Sequence, residues 1–152
     1  MHLKDCVSVT CTVLLIVGCG PTGVQSIPTL SAVEAQPEIT LGEAFVLRVE
    51  QTAALGGGVG VSLTFEAVRE DSRCPVGVSC IWAGDAVVAV RVDDSRGGTV
   101  TLELHTNARF DADAERGEHV VRLLELSPTP RVGSTIPIDQ YEATLVVTRR
   151  AA

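Results

Sequence analysis

Apolar and polar residues alternate with a period of two along most of the chain after residue 38. A period of two places successive side chains on opposite faces of a β-strand, so one face of each strand is buried. The alternation is clearest at residues 61–67, 99–105 and 142–148, and it is less regular at residues 44–50, 86–92 and 119–126. The pattern therefore predicts six to eight strands and no helix.

Turn-forming residues separate these strands. Glycine, proline, aspartate and serine favour loops because their backbones or side chains suit turn conformations. Loops are predicted at Gly56–Gly60, at Asp93–Gly98 and at residues 127–130, and a short turn is predicted within residues 111–118. Pro137 lacks an amide hydrogen, so residues 136–138 are expected to lie on a sheet edge.

Short strands joined by turns predict an all-β protein. The expected architecture is an antiparallel β-sandwich, with an Ig-like arrangement as one form and a small β-barrel as the alternative. The immunoglobulin pattern of two distant cysteines bracketing a tryptophan is absent, because Cys74 and Cys80 are close together and Trp82 follows both. A single folded domain is predicted over residues 38–152.

The N-terminal residues predict an export signal. An apolar run extends from Cys6 to Val17, and Lys4 precedes it. Twelve helical residues rise about 18 Å, which is too short for a hydrocarbon core of about 30 Å. Residues 1–18 are therefore predicted to be a signal peptide.

The end of this run, Ile16-Val17-Gly18-Cys19, resembles the lipobox of bacterial lipoproteins. The resemblance implies cleavage before Cys19, which would carry diacylglycerol and an N-acyl chain such as palmitate. Gly20 stands where an aspartate favours inner-membrane retention. The implied location is the bacterial cell envelope: the outer membrane, facing periplasm or surface, if Gram-negative, otherwise the outer face of the cell membrane.

Residues 19–37 are expected to form the lipidated cysteine and a flexible tether. This segment has three prolines and no sustained periodicity. A coil of this length spans roughly 20–25 Å. The alternative is that residues 27–33 add an edge strand.

Cleavage at the lipobox would leave Cys74 and Cys80 as the remaining pair of cysteines. In an exported and oxidising compartment such a pair is expected to form a disulfide. The alternative is a zinc site that adds His105 and His119. Structural zinc usually uses closely spaced cysteine pairs, and these residues are scattered. No metal or cofactor is predicted.

Composition and charge argue against two classes of binding partner. The 19 acidic residues outnumber the 12 basic ones and give a formal net charge of −7. An acidic chain is poorly suited to nucleic acid, and it has no polybasic patch for anionic membrane. Only five residues are aromatic: Phe45, Phe65, Trp82, Phe110 and Tyr141.

The segment from Asp71 to Gly84 concentrates unusual residues. The motif Asp71-Ser72-Arg73-Cys74-Pro75, followed by Gly77-Val78 and Cys80-Ile81-Trp82-Ala83-Gly84, resembles a segment of small uncharacterised exported bacterial proteins. That resemblance implies an exported location and a disulfide, and no mechanism.

Two interpretations of this segment stay open. In one, the bridged loop is a recognition surface, with Asp71, Arg73, Trp82 and Asp85 as candidate binding residues. Arg73 would then stack on Trp82, and Asp71 would accept amide hydrogens within the turn. In the other, the bridge only compensates for a core poor in aromatic residues.

The sequence gives little support for a phosphate-binding loop, a calcium site or a hydrolase. Gly56–Gly60 has no lysine or following helix for a phosphate loop. The acidic series Asp111, Asp113 and Glu115 lacks the remaining ligands of an EF-hand, which leaves a weak calcium site as the alternative to a solvated turn. No Gly-x-Ser-x-Gly nucleophile elbow supports a hydrolase built on His105 or His119.

The leading hypothesis is therefore a non-catalytic, membrane-anchored envelope lipoprotein that acts as a binding or structural module. Its partner would be an envelope protein or a glycan. The alternative is a protease inhibitor that presents the disulfide-closed loop, and this alternative rests on analogy between folds. An enzyme is the third hypothesis, and a deep polar pocket joining His105 or His119 to a carboxylate would favour it.

Overall fold

The computed structural model describes residues 36–151. The predicted signal peptide, the lipid attachment at Cys19, most of the tether and the possible strand at residues 27–33 lie outside these residues. The strands are β1 (Glu38–Ile39), β2 (Ala44–Arg48), β3 (Thr52–Leu55), β4 (Val61–Asp71), β5 (Ala86–Asp94), β6 (Gly98–His105), β7 (Asp113–Arg116), β8 (His119–Ser127) and β9 (Glu142–Arg149). The only helix within this range is a 3-10 turn at Ile138–Gln140.

The strands form two sheets. One sheet has the order β1-β3-β4-β5-β6 and the other has the order β2-β9-β8-β7. Every pairing is antiparallel except the short parallel contact of β1 with β3. The prediction of an antiparallel β-sandwich is confirmed. The barrel alternative is wrong, because the two sheets do not close into one.

The core lies between the sheets and follows the sequence alternation. Val61, Leu63 and Phe65 of β4 are buried, whereas Ser62 and Glu66 are only partly covered. The same alternation buries Leu102 and Leu104 of β6 and Ala143, Leu145 and Val147 of β9. Valine and leucine make up most of the buried apolar residues.

Most turns lie where the sequence places them, and the short turn predicted within residues 111–118 is formed by Gly117 and Glu118. Residues 113–116 form β7, a strand that the sequence did not predict, and pair with β8 in register from Asp113–Arg122 to Arg116–His119. One prediction is wrong. The segment around Pro137 is no edge strand. The Pro137 carbonyl instead accepts the amide hydrogen of Gln140 at 3.0 Å, and this bond begins the 3-10 turn.

Three connections meet at one end of the sandwich. Strands β4, β6 and β8 run toward this end, and each next strand runs away from it, so residues 72–85, 106–112 and 128–141 lie together. The Val76 amide donates to the Pro130 carbonyl at 2.9 Å, and the Asn107 side chain donates to the Gly84 carbonyl at 2.7 Å. We call these three connections the loop end.

No helix in residues 36–151 is long and apolar enough to cross a membrane.

Candidate functional site

A disulfide closes a ring within the β4–β5 connection of the loop end. Cys74 and Cys80 are bonded, with their Cα atoms 6.0 Å apart, which confirms the predicted bridge. We call residues 74–80 the stapled loop. Pro75 and Gly77 shape the turn inside it, and the positive φ of Gly77 suits a residue without a Cβ atom.

The chain on both sides of the stapled loop is fastened by main-chain hydrogen bonds. The Ser72 amide donates to the Asp85 carbonyl at 2.7 Å, and the Cys74 amide donates to the Ala83 carbonyl at 3.1 Å. Gly84 has a positive φ, and a Cβ atom there would lie 1.9 Å from the Ser72 carbonyl oxygen. Only glycine allows the two segments to approach this closely.

Asp71 and Arg73 form an ion pair at the base of the loop. The Arg73 guanidinium donates to both Asp71 carboxylate oxygens, at 2.9 and 2.7 Å, and the side chains are only 13% and 11% exposed. The same guanidinium donates to the Leu126 carbonyl, and to the Pro128 carbonyl at 2.9 Å. The Tyr141 hydroxyl donates to Asp71 at 2.9 Å. The pair therefore joins the β4–β5 and β8–β9 connections.

These contacts change the acidity of Asp71. Burial alone raises the pKa of this carboxyl, but the hydrogen bonds from Arg73 and Tyr141 outweigh it and lower the pKa below its ordinary value. Burial and the bond to Asp71 raise the pKa of the Tyr141 hydroxyl. Asp71 is thus an ionised acceptor at neutral pH.

The structure assigns Arg73 a different place from the one expected. Arg109, and not Arg73, lies over the Trp82 ring, 5.8 Å from its centroid. Arg73 faces the Asp71 carboxylate, because a nearly buried guanidinium needs a charged partner more than an aromatic face. Asp71 does accept the amide hydrogen of Arg73, at 3.2 Å.

Asp85 fastens the third connection. Its carboxylate contacts Nδ1 of His105 at 2.6 Å and accepts the Asn107 amide hydrogen at 2.9 Å. Burial raises the pKa of Asp85, whereas the bonds from His105, Asn107 and Thr106 lower it, and the net pKa lies below the ordinary value. The His105 ring lies 5.1 Å from that of Phe110, centroid to centroid.

An aspartate–histidine pair also occurs in hydrolases, where it orients the base for a serine. The hydroxyl of Ser72, which contacts the same aspartate, donates to the Asp85 carbonyl at 3.0 Å and accepts from its amide at 3.2 Å. This hydroxyl is engaged with the main chain. An open cleft of the domain lies elsewhere, lined by residues 46, 48–51 and 142. The pair links the start of β5 to the end of β6.

The metal alternatives do not agree with the observed contacts. Cys74 and Cys80 are oxidised to a disulfide and offer no thiolate for zinc. Asp113 is paired with Arg122, and Glu115 with Arg150. Residues 36–151 hold no group of three or more histidine, cysteine or acidic side chains placed to bind an ion.

Exposed apolar side chains distinguish the loop end from the rest of the surface. Ile81 is 97% exposed and Trp82 is 70% exposed. Of the ten exposed large apolar residues in the described part of the chain, seven belong to the loop end: Val76, Val78, Ile81, Trp82, Phe110, Val132 and Ile138. Sequence analysis selected Trp82, but it missed the contributions of Phe110, Val132 and Ile138, because separate connections supply them.

Comparison with protein-family models, curated proteins and solved structures found no match to this chain.

Proposed function

We propose that this protein is a lipid-anchored, non-catalytic binding module of the bacterial envelope, and that its loop end recognises a partner protein. The anchor is supported by the resemblance of residues 16–19 to a lipobox. The recognition surface is supported by a single observation, the exposure of Ile81 and Trp82 on a connection that the fold holds rigid.

Exposed apolar residues gathered at one place favour a binding role. Single exposed apolar side chains are common on protein surfaces, whereas a cluster of them marks an interaction site. Tryptophan is among the residues that contribute most binding energy at interfaces. Ile81 contributes almost nothing to the core of this domain, so its side chain is available to a partner.

The rigidity of the connection also favours binding. The disulfide, the paired main chain around residues 72–85 and the Asp71–Arg73 ion pair all restrain the loop. A loop that is ordered before binding loses little entropy when the complex forms. In this proposal Arg73 and Asp85 are positioning residues, and Trp82 and Ile81 make the contact.

One observation supports a second candidate function, that of a protease inhibitor. The main-chain groups of residues 79–82 make no bond to another main-chain group within residues 36–151, so they are free to pair with a protease cleft. The chain bends at Ile81 and Trp82, however, and a segment bound in such a cleft is usually extended. The binding module is therefore the better supported candidate.

The anchor is tested by the substitution Cys19→Ala in the full chain. Loss of the acylated cysteine should move the protein from the membrane fraction to the soluble fraction, because two or three acyl chains provide stable anchoring. Mass spectrometry of the wild-type protein should find lipid on Cys19. A variant that stays with the membrane at unchanged mass would contradict the proposed anchor.

Recognition is tested by chemical cross-linking in cells followed by identification of the captured protein. Trp82→Ala and Ile81→Ala should each reduce capture about tenfold, as expected for central interface residues. Leu124→Ala is the matched control, because Leu124 is an exposed apolar residue of β8 outside the loop end. Equal capture by all three variants would refute the proposed surface.

The inhibitor candidate has its own assay. The purified protein is added to a panel of serine and cysteine endopeptidases with chromogenic substrates. Inhibition that Ile81→Ala abolishes would favour the inhibitor over the binding module. Cleavage of the loop or no effect on any enzyme would remove that candidate.

A further inference from the structure

The loop end carries no net charge, although the protein is strongly acidic. Its three connections contain three arginines and three aspartates, so the formal net charge of −7 resides entirely in the rest of the chain. Two proteins of this kind repel each other through their bodies. Two loop ends, each without formal net charge, add no net repulsion when they meet.

Two of these six charges are used within the domain. Arg73 forms an ion pair with Asp71, and the Asp85 carboxylate is hydrogen-bonded to His105. The remaining four are Arg109, Asp111, Arg131 and Asp139, and none of them has an ion-pair partner in the described part of the chain. The loop end thus presents two unpaired positive and two unpaired negative side chains.

Each unpaired charge lies beside an exposed apolar residue. Arg109 lies over Trp82, and Asp111 follows Phe110. Arg131 precedes Val132, and Asp139 follows Ile138. A surface that carries equal numbers of both charges among apolar residues can meet a copy of itself across a two-fold axis with an arginine of one copy facing an aspartate of the other.

We propose that the loop end is a self-association surface and that its partner is a second copy of this chain. The inference rests on the proposed function in one respect, since both require the loop end to be a protein-binding surface. In the complex, Ile81 and Trp82 of the two copies pack together at the centre. The unpaired arginines and aspartates pair across the rim, and the acidic bodies point apart.

A bilayer is the less favoured occupant of this surface. Asp111 and Asp139 are exposed beside the apolar residues, and a carboxylate is costly to bring into a membrane. The free main-chain groups of residues 79–82 would also lack hydrogen-bond partners in hydrocarbon. A protein surface can supply partners for the two carboxylates and for these main-chain groups.

The first experiment locates the contact in cells. A photo-reactive amino acid replaces Val132 at the loop end or, as the matched control, Leu124 of β8; both side chains are exposed and apolar. Position 132 should yield a covalent adduct of two copies, and position 124 should not. An adduct with a different protein alone would overturn self-association and leave the proposed function intact. An adduct with lipid alone, or none at all, would overturn both.

The second experiment tests the charge pairing with full-length protein in detergent by sedimentation equilibrium. In one variant Arg109→Asp and Arg131→Asp make the four charges negative. In the other, Asp111→Arg and Asp139→Arg make them positive. Each variant alone should dimerise at least about tenfold more weakly than wild type, whereas an equal mixture of the two should recover dimerisation, because opposite charges face each other again.

A control variant separates local pairing from net charge. Arg96→Asp with Arg149→Asp changes the net charge equally at the opposite end of the sandwich and should dimerise as wild type does. A wild-type protein that stays monomeric at all concentrations, or a dimer that no charge reversal weakens, would overturn the proposal. Capture of a different partner in cells would then still support the proposed function.

Discussion

Asp71 joins β4 to two connections of the loop end through one side chain. It lies at the end of β4, accepts hydrogen bonds from Arg73 in the following connection, and accepts the Tyr141 hydroxyl from the β8–β9 connection. Hydrogen bonds to a charged group contribute more than neutral ones, about 1.5–3 kcal/mol each when buried. A single carboxylate therefore positions the base of the stapled loop.

The lowered pKa values of Asp71 and Asp85 predict how stability depends on pH. A carboxyl whose pKa is lower when folded than when unfolded contributes stability above the unfolded value, near 3.8, and loses it as the pH falls through the folded value. The contribution of these two groups to the urea midpoint should therefore persist from neutral pH down toward 3.8 and be lost as the pH falls below that value.

Asp71→Asn isolates this contribution. We expect it to lower the free energy of unfolding by about 2–3 kcal/mol at pH 7, because Arg73 loses its partner, and to flatten the acid limb of the stability profile. Asp111→Asn is the control, since that exposed aspartate has no ion-pair partner among the described residues. Parallel acid limbs for wild type and Asp71→Asn would contradict the assignment.

At the scale of an element, the connection between β4 and β5 combines two kinds of restraint. The disulfide closes a ring within the connection, and the main-chain bonds of Ser72 and Cys74 continue the pairing of β4 and β5 beyond the sheet. The two restraints involve different atoms, so we expect the sheet to form without the disulfide.

Replacing both cysteines, Cys74→Ser with Cys80→Ser, should lower the free energy of unfolding by about 2 kcal/mol, which is the loop entropy of a short ring. The far-ultraviolet circular dichroism should keep its β-sheet form. Thiol titration of the wild-type protein should find neither cysteine free. Loss of the β-sheet signal on reduction would show that the connection determines the fold.

At the scale of the whole molecule, two sheets are held together by aliphatic side chains and few aromatic ones. Phe65 of β4 is completely buried between the sheets, whereas Phe110 of the loop end is largely exposed. The same residue type thus serves the core in one place and the surface in another.

The two phenylalanines provide a matched comparison. Phe65→Ala should lower the free energy of unfolding by about 3–5 kcal/mol, because it leaves a cavity in the core. Phe110→Ala should lower it by less than about 1 kcal/mol. Denaturant unfolding of both variants checks this, and similar losses would show that Phe110 is packed as well.

The sequence by itself determined the fold class and six of the nine strands. Alternation with a period of two decides which side chains share a face, and this needs only neighbouring residues, as at Val61, Leu63 and Phe65. The disulfide was also predicted, because Cys74 and Cys80 are the pair of cysteines left after the predicted signal peptide and lipobox cysteine are set aside, and an exported compartment favours oxidation. The sequence failed at Asp113–Arg116, where a short polar strand forms only because β8 offers it a partner.

Tertiary structure decided the order of the strands and the composition of the candidate site. Val132 and Ile138 are far from Trp82 in sequence, and only the antiparallel order of the strands brings their connections to one end. The partners of Arg73 were decided in the same way. Its aspartate is two residues away, but the Leu126 and Pro128 carbonyls that complete its hydrogen bonds come from β8 of the other sheet and the connection after it. No local sequence pattern could therefore reveal that Arg73 points inward and that Arg109 lies over Trp82.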